Sequence, residues 1–95
     1  MKILVIEDDA VIADYIAKGL RESGYLVDVA RTGGEGSDLA HSGHYDAAVV
    51  DIMLPGIDGL TVIESMRSEK ITTPVLILSA KRSVDDRVRG LRAGG

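Results

Sequence analysis

Four short aliphatic runs, each followed by a segment with helical periodicity, constrain the fold of this chain more than any other feature. The runs occupy residues 2–6, 25–30, 47–50 and 75–78. Runs of branched residues without polar alternation are typical of strands buried on both faces of a parallel sheet. Only the second run alternates, as a strand near a sheet edge does. We therefore predict an α/β fold, a doubly wound parallel sheet with right-handed crossovers and helices on both faces.

The segments between these runs carry helix signals of unequal strength. The first helix follows Asp9, with apolar residues four apart, and stops before Gly24. A weak, glycine-interrupted second helix is predicted to reach about His41, and a third covers about 58–68. A fourth helix opens at Ser83 with the spacing of a capping box. The second helix should be the least stable.

Composition limits the function classes that are open to this chain. Its 95 residues are enough for one domain, and 45% apolar with 27% charged residues is typical of a soluble globular protein. The absence of cysteine excludes disulfides, thiolate metal sites and thiol nucleophiles, and fits the cytoplasmic location that we expect. Apolar runs are far shorter than the roughly 20 residues of a membrane span, so we expect neither export nor membrane insertion. A net charge of −4 disfavours nucleic-acid binding, so any DNA contact requires another domain.

Acidic side chains follow two of the predicted strands. The first strand runs into Glu7, Asp8 and Asp9, the third runs into Asp51, and the fourth ends in Ser79. In open parallel sheets, ligands bind beyond the carboxyl ends of the strands, where strand order reverses. In the strand order 2-1-3-4, Asp8 and Asp51 meet at one place.

Clustered carboxylates repel one another, and a divalent cation removes that cost. Hard oxygen ligands without sulfur or paired histidines favour Mg²⁺ or Mn²⁺. A carboxylate can attack phosphorus to form an aspartyl phosphate, and phosphoryl transfer mainly requires positioning and charge neutralisation. For Asp9 and Asp58, which precede predicted helices, an N-cap role is the favoured explanation of the acid. Asp51 begins no helix, so capping cannot explain it.

Three motifs make the chain similar to a known family. They are K-I-L-V-I-E-D-D at residues 2–9, V-V-D-I-M-L-P-G-I-D-G-L at 49–60 and P-V-L-I-L-S-A at 74–80. Along its whole length the chain resembles the receiver domain of two-component response regulators, within the winged-helix transcription factors. The resemblance implies a flavodoxin-like receiver fold in which a sensor histidine kinase phosphorylates the domain. It also implies control of a DNA-binding domain elsewhere in the parent protein, and no turnover of an external substrate.

The same resemblance implies individual roles. Asp51 would be the phosphoacceptor, and Glu7, Asp8, Asp51 and the backbone carbonyl of Met53 would hold Mg²⁺. Ser79 would be the switch hydroxyl, and Lys81 would tune access to the phosphoryl group. The dimer face implied for winged-helix regulators would include charged residues of the fourth helix, namely Asp85, Arg87, Arg89 and Arg92.

The chain departs from the family pattern at its end. Receivers continue through a fifth strand and helix, with a lysine after that strand that pairs with the phosphoryl group. We therefore expect residues 1–95 to be a receiver domain that is incomplete at its C-terminus. An unprotected fourth strand should make it marginally stable and prone to self-association as a dimer or larger assembly.

Three other functions are weighed against this interpretation. A haloacid-dehalogenase-type phosphatase needs a second acid two residues after the nucleophile, where this chain has Met53. A dinucleotide-binding domain needs a glycine-rich turn where this chain has three acids. A scaffold or dimerisation module that is never phosphorylated stays open because the lysine is missing. His41 and His44 are more typical of a solvated surface than of a metal pair.

Overall fold

The sheet has the topology that the sequence predicts. A computed structural model of the protein describes residues 1–78. Within these residues, four parallel strands lie in the order β2-β1-β3-β4. The elements along the chain are β1 (Lys2–Ile6), α1 (Ala10–Glu22), β2 (Leu26–Ala30), α2 (Gly33–Ser42), β3 (Ala47–Asp51), α3 (Gly59–Ser68) and β4 (Val75–Leu78). The α/β doubly wound fold class is confirmed. The predicted fourth helix lies outside the described residues, as do Ser79, Lys81, Asp85, Arg87, Arg89 and Arg92.

Apolar side chains form a core on each face of the sheet. The larger core joins β1, β3 and β4 to α2 and α3, and Leu4, Ile6 and Val50 are fully buried in it. The smaller core joins β1 and β2 to α1, with Val5 and Ala17 at its centre. β1 is covered on both faces, which explains why its sequence has no polar alternation. Among residues 1–78, no helix combines the length and apolarity that a membrane span requires.

Each of the three helices within residues 1–78 begins with a capping side chain. Asp9 Oδ1 accepts hydrogen bonds from the N–H groups of Val11 and Ile12 at 2.9 and 3.0 Å. Asp58 Oδ1 accepts from Thr61 N–H at 2.8 Å. Thr32 caps α2 in the same way. These contacts satisfy backbone donors that have no partner within the helix, and they confirm the N-cap interpretation of Asp9 and Asp58.

β4 is less buried than its apolar sequence predicts. The side chain of Leu76 is 51% exposed, whereas Val75 and Ile77 on the opposite face are buried. α1 packs on β1 and β2, so it does not reach Leu76 at the far side of the sheet. The prediction of a strand buried on both faces is therefore wrong for β4 within the described part of the chain. A run of four apolar residues predicts a strand, but it does not indicate whether a helix covers one face of that strand or both.

The first residue of α3 lies directly against the end of β3. A Cβ atom added at Gly59 would lie 2.2 Å from the Asp51 carbonyl oxygen and 2.8 Å from Ile52 Cα. Both contacts are with backbone, which cannot rotate away as a side chain can. The absence of a side chain at Gly59 therefore lets α3 begin beside Asp51.

Gly59→Ala should destabilise the domain by roughly 2–3 kcal/mol, because the helix or the end of β3 must move to admit the methyl group. Gly34→Ala is the matched control, since a Cβ at Gly34 in α2 meets nothing within 4 Å. That control should be neutral or up to about 1 kcal/mol more stable. Urea unfolding of both variants measures the difference. Equal stabilities of the two variants would show that α3 can move away from the end of β3 at little cost.

Candidate functional site: an acidic cluster at the carboxyl end of the sheet

The register of β1 and β3 brings two acidic segments together. The strands are parallel neighbours, with Ile6 paired to Val50. The next residues, Glu7 just after β1 and Asp51 at the end of β3, therefore lie side by side. Carboxylate oxygens of Glu7, Asp8 and Asp51 all lie within 4.8 Å of one another. The structure thus brings Asp8 and Asp51 to one place, together with Glu7.

The three carboxylates differ in their access to water. Glu7 and Asp51 are only 3% and 2% exposed, whereas Asp8 is an exposed residue. Glu7 follows β1 and Asp51 ends β3, the two inner strands of the order β2-β1-β3-β4, so neighbouring elements cover both residues. Asp8 lies one residue further along, at the start of the loop into α1. The cluster therefore has a buried pair and one member that faces solvent.

The buried pair holds a proton in the absence of a cation. The pKa of the Glu7 carboxyl is raised to about 8, mainly because burial deprives its charged form of hydration and next because of a hydrogen bond to Asp51. The charge of Asp51 acts in the same direction, while the backbone N–H of Asp9 opposes the shift. At neutral pH, Glu7 is therefore mostly protonated and donates to its neighbour.

Backbone donors hold the two buried carboxyl groups in place. Met53 N–H donates to Asp51 Oδ1 at 2.9 Å, and Asp9 N–H donates to Glu7 Oε2 at 3.3 Å. Both bonds close a short turn just after a strand. Within residues 1–78, no backbone N–H group donates to the second oxygen of Asp51. The Met53 side chain is itself half-exposed and takes no part in the cluster.

The donor set of the cluster fits a hard divalent cation. It consists of carboxylate oxygens from three residues, without sulfur or imidazole. A cation would replace the shared proton and remove the repulsion between the buried charges. Burial and the charge of Asp51 both raise the pKa of Glu7, and the Asp9 N–H group does not cancel these two effects. The ionised form of Glu7 therefore lacks a sufficient positive partner among the surrounding protein groups.

One side chain near the cluster gave no signal in the sequence. The guanidinium of Arg31, which follows β2, donates to the backbone carbonyl of Asp8. The two residues are 23 positions apart, and no motif links them. Sheet order could have suggested the neighbourhood, because β2 and β1 are adjacent and end at the same edge. The rotamer of Arg31 could not be predicted from that order.

A family model and similar curated proteins assign the chain to the same family. Residues 3–95 match the response regulator receiver domain. The transcriptional regulatory protein HprR of Escherichia coli is 46% identical over 94 residues, which are 99% of this chain and 42% of that protein. The transcriptional regulatory protein TcrA of Mycobacterium tuberculosis is 42% identical, again over 99% of this chain but 37% of that protein. The chain spans about two fifths of the length of such curated relatives.

Solved structures have the same fold. The receiver domain of the Francisella response regulator 1452 superposes with a TM-score of 0.85 at 38% identity, covering 99% of this chain and 78% of that one. The response regulator TrrA of Thermotoga maritima, solved in complex with Mg²⁺-BeF, gives a TM-score of 0.80 at 36% identity. That match covers 84% of this chain and 70% of TrrA. TrrA has also been solved in complex with the histidine kinase ThkA.

Proposed function

This chain belongs to the response regulator receiver family, and we propose that Asp51 accepts a phosphoryl group from a sensor histidine kinase in the presence of Mg²⁺. The observation that carries the proposal is the buried pair of carboxyl groups, Glu7 and Asp51, beside the exposed Asp8. Such a pair is costly to bury and has no role in capping a helix. Its cost is explained if the cluster exists to hold a cation next to a nucleophile.

We place the nucleophile at the oxygen of Asp51 that accepts from no backbone N–H group of residues 1–78. Met53 N–H engages Oδ1, so Oδ2 attacks phosphorus. The new bond joins Oδ2 to phosphorus, while the bond from phosphorus to the histidine nitrogen of the kinase breaks and its electron pair stays on nitrogen. Asp51 must be ionised for this step, and the proton that Glu7 holds must leave the cluster first. Mg²⁺, when bound, offsets the charge of the carboxylates and of the phosphoryl oxygens.

Each member of the cluster has a distinct part in the proposal. Asp8 and Asp51 would bind Mg²⁺ directly, the Met53 carbonyl would complete the protein ligands, and Glu7 would act through water. Mn²⁺ would substitute for Mg²⁺, because both take oxygen ligands. The roles of Ser79 as switch hydroxyl and Lys81 at the entrance belong to the same proposal, although both lie outside the described residues. So does the dimer face of Asp85, Arg87, Arg89 and Arg92.

Phosphorylation of this domain would act on the longer protein to which the domain belongs. HprR and TcrA are named as transcriptional regulatory proteins, and each is more than twice as long as the match. We propose that phosphorylation of this domain controls a DNA-binding domain in the same polypeptide. TrrA in complex with the kinase ThkA supports a sensor histidine kinase as the phosphodonor.

Acetyl phosphate tests the chemistry without a kinase. We expect the chain to gain one phosphoryl group when Mg²⁺ is present, and hydroxylamine should remove it because the product is an acyl phosphate. Intact-protein mass spectrometry measures the gain. A parallel reaction with a chelator in place of Mg²⁺ is the control and should show little label. Equal labelling in both reactions, or a label that survives hydroxylamine, would contradict the proposal.

A further inference from the structure

We propose that the beginning of α2, together with Arg31, braces the two loops that carry the acidic cluster. The brace contacts the β1–α1 loop, which holds Asp8, and the β3–α3 loop, which follows Asp51. Arg31 is therefore a positioning residue, acting on the cation site through the Asp8 backbone. This inference rests on the proposed function, because it concerns the same site.

The contact with the first loop comes from the Arg31 side chain. Its guanidinium donates to the carbonyl oxygen of Asp8. The Arg31 backbone is fixed by α2, since its N–H donates to Glu35 Oε1 at 2.8 Å. Glu35 N–H in turn donates to Thr32 Oγ1 at 3.0 Å. The Asp8 carbonyl is thus connected by hydrogen bonds to the first turn of the helix.

The contact with the second loop is a close approach of backbones. A Cβ atom added at Gly33, the first residue of α2, would lie 2.1 Å from the carbonyl oxygen of Ile57. Ile57 precedes the N-cap of α3, in the loop that leads away from Asp51. Gly33 therefore lets α2 rest against this loop with no side chain between them.

Asp8 needs such a brace more than the other two acids do. Glu7 and Asp51 are held by burial, but Asp8 is exposed and its position depends on its loop. Arg31 forms no ion pair with a carboxylate within residues 1–78, where Lys2 and Asp28 form the ion pair observed. Its guanidinium contacts a carbonyl instead, so it can orient the loop without neutralising a carboxylate of the cluster.

The charge and the position of Arg31 have opposite effects on a cation. A positive side chain beside the cluster repels Mg²⁺, so removing that charge alone would tighten binding. Removing a group that positions a ligand weakens binding. The sign of the change in Mg²⁺ affinity for Arg31→Met therefore separates the two effects.

The test is an NMR titration of the full chain with Mg²⁺, following backbone amides near Asp8. Arg31→Met should weaken Mg²⁺ binding roughly tenfold, the lower end of the loss that follows removal of support behind a metal ligand. Arg31→Lys should lie between that variant and the natural chain. Arg21→Met is the matched control, because Arg21 also donates to a carbonyl, that of Val27 at 2.9 Å, far from the cluster. It should leave the affinity unchanged.

A second readout needs no metal. Hydrogen exchange of the Asp9 amide should become several-fold faster in Arg31→Met, because the loop loses its link to α2. Gly33→Ala should likewise accelerate exchange around Ile57, with Gly34→Ala as control. If Arg31→Met binds Mg²⁺ as tightly as the natural chain or more tightly, and the Asp9 amide exchanges at an unchanged rate, the proposed positioning role of Arg31 is wrong. Failure of the natural chain to bind Mg²⁺ would instead contradict the proposed function, and the exchange rates would still decide the brace.

Discussion

Asp51→Asn should reduce labelling by acetyl phosphate to background, a fall of about a thousandfold or more in rate, because an amide cannot act as the nucleophile. The substitution preserves the local structure well. Asn keeps an oxygen that can accept from Met53 N–H, the bond that now measures 2.9 Å. Loss of labelling would therefore report the missing carboxylate and not a misplaced loop.

Asp58→Asn is the matched control for this experiment. Asp58 is an exposed acid at the start of α3, and its carboxylate caps the helix. Asn caps a helix about as well as Asp, so labelling and stability should both stay near those of the natural chain. The rates are measured by intact-protein mass spectrometry over time. Labelling of Asp51→Asn at the rate of Asp58→Asn would exclude Asp51 as the phosphoacceptor.

The stability of the metal-free domain should fall as pH rises from about 4.5 to about 8. The pKa of Glu7 is about 8 in the folded chain, whereas an unperturbed glutamate, as in the unfolded chain, has a pKa of 4.5. The folded state therefore binds its proton more tightly than the unfolded state does. The stability that this proton supplies is fully present below the lower pKa and is lost as pH passes the higher one.

The loss should be on the order of 5 kcal/mol, since the pKa of Glu7 differs between about 8 and 4.5 and each pKa unit corresponds to about 1.4 kcal/mol. Saturating Mg²⁺ should reverse the trend and make the domain more stable at about pH 8 than at about pH 5, because the cation replaces the proton. Urea unfolding at several pH values, with and without Mg²⁺, measures both effects. Glu7→Gln, which keeps a donor for Asp51, should show little pH dependence. A metal-free stability that rises with pH would contradict this account of the cluster.

The strand order and the meeting of the acids could be predicted because they depend on regular features. Aliphatic runs that alternate with helices leave few topologies for a parallel sheet. Once β1 and β3 are neighbours, the acids that follow them must lie at one edge. The N-cap roles of Asp9 and Asp58 follow in the same way from local sequence.

Other properties depend on packing between distant segments, which no local pattern reports. The exposure of Leu76 depends on which strands α1 covers, and the fit of Gly59 depends on how closely α3 approaches β3. The contact of Arg31 with Asp8 depends on a single rotamer. The sequence suggested that the acids repel one another, but the proton on Glu7 follows from a burial that only the structure gives.

The residue that receives the phosphoryl group can be located directly by chemical reduction. Borohydride reduces an aspartyl phosphate to homoserine, so reduction, digestion and peptide mass spectrometry locate the modified residue after reaction with acetyl phosphate and Mg²⁺. Asp51, the buried acid at the end of β3, should be converted to homoserine, and no other position should change. Conversion at Asp8 or at another acid, or a phosphoryl group on Ser79 that resists reduction, would contradict the account.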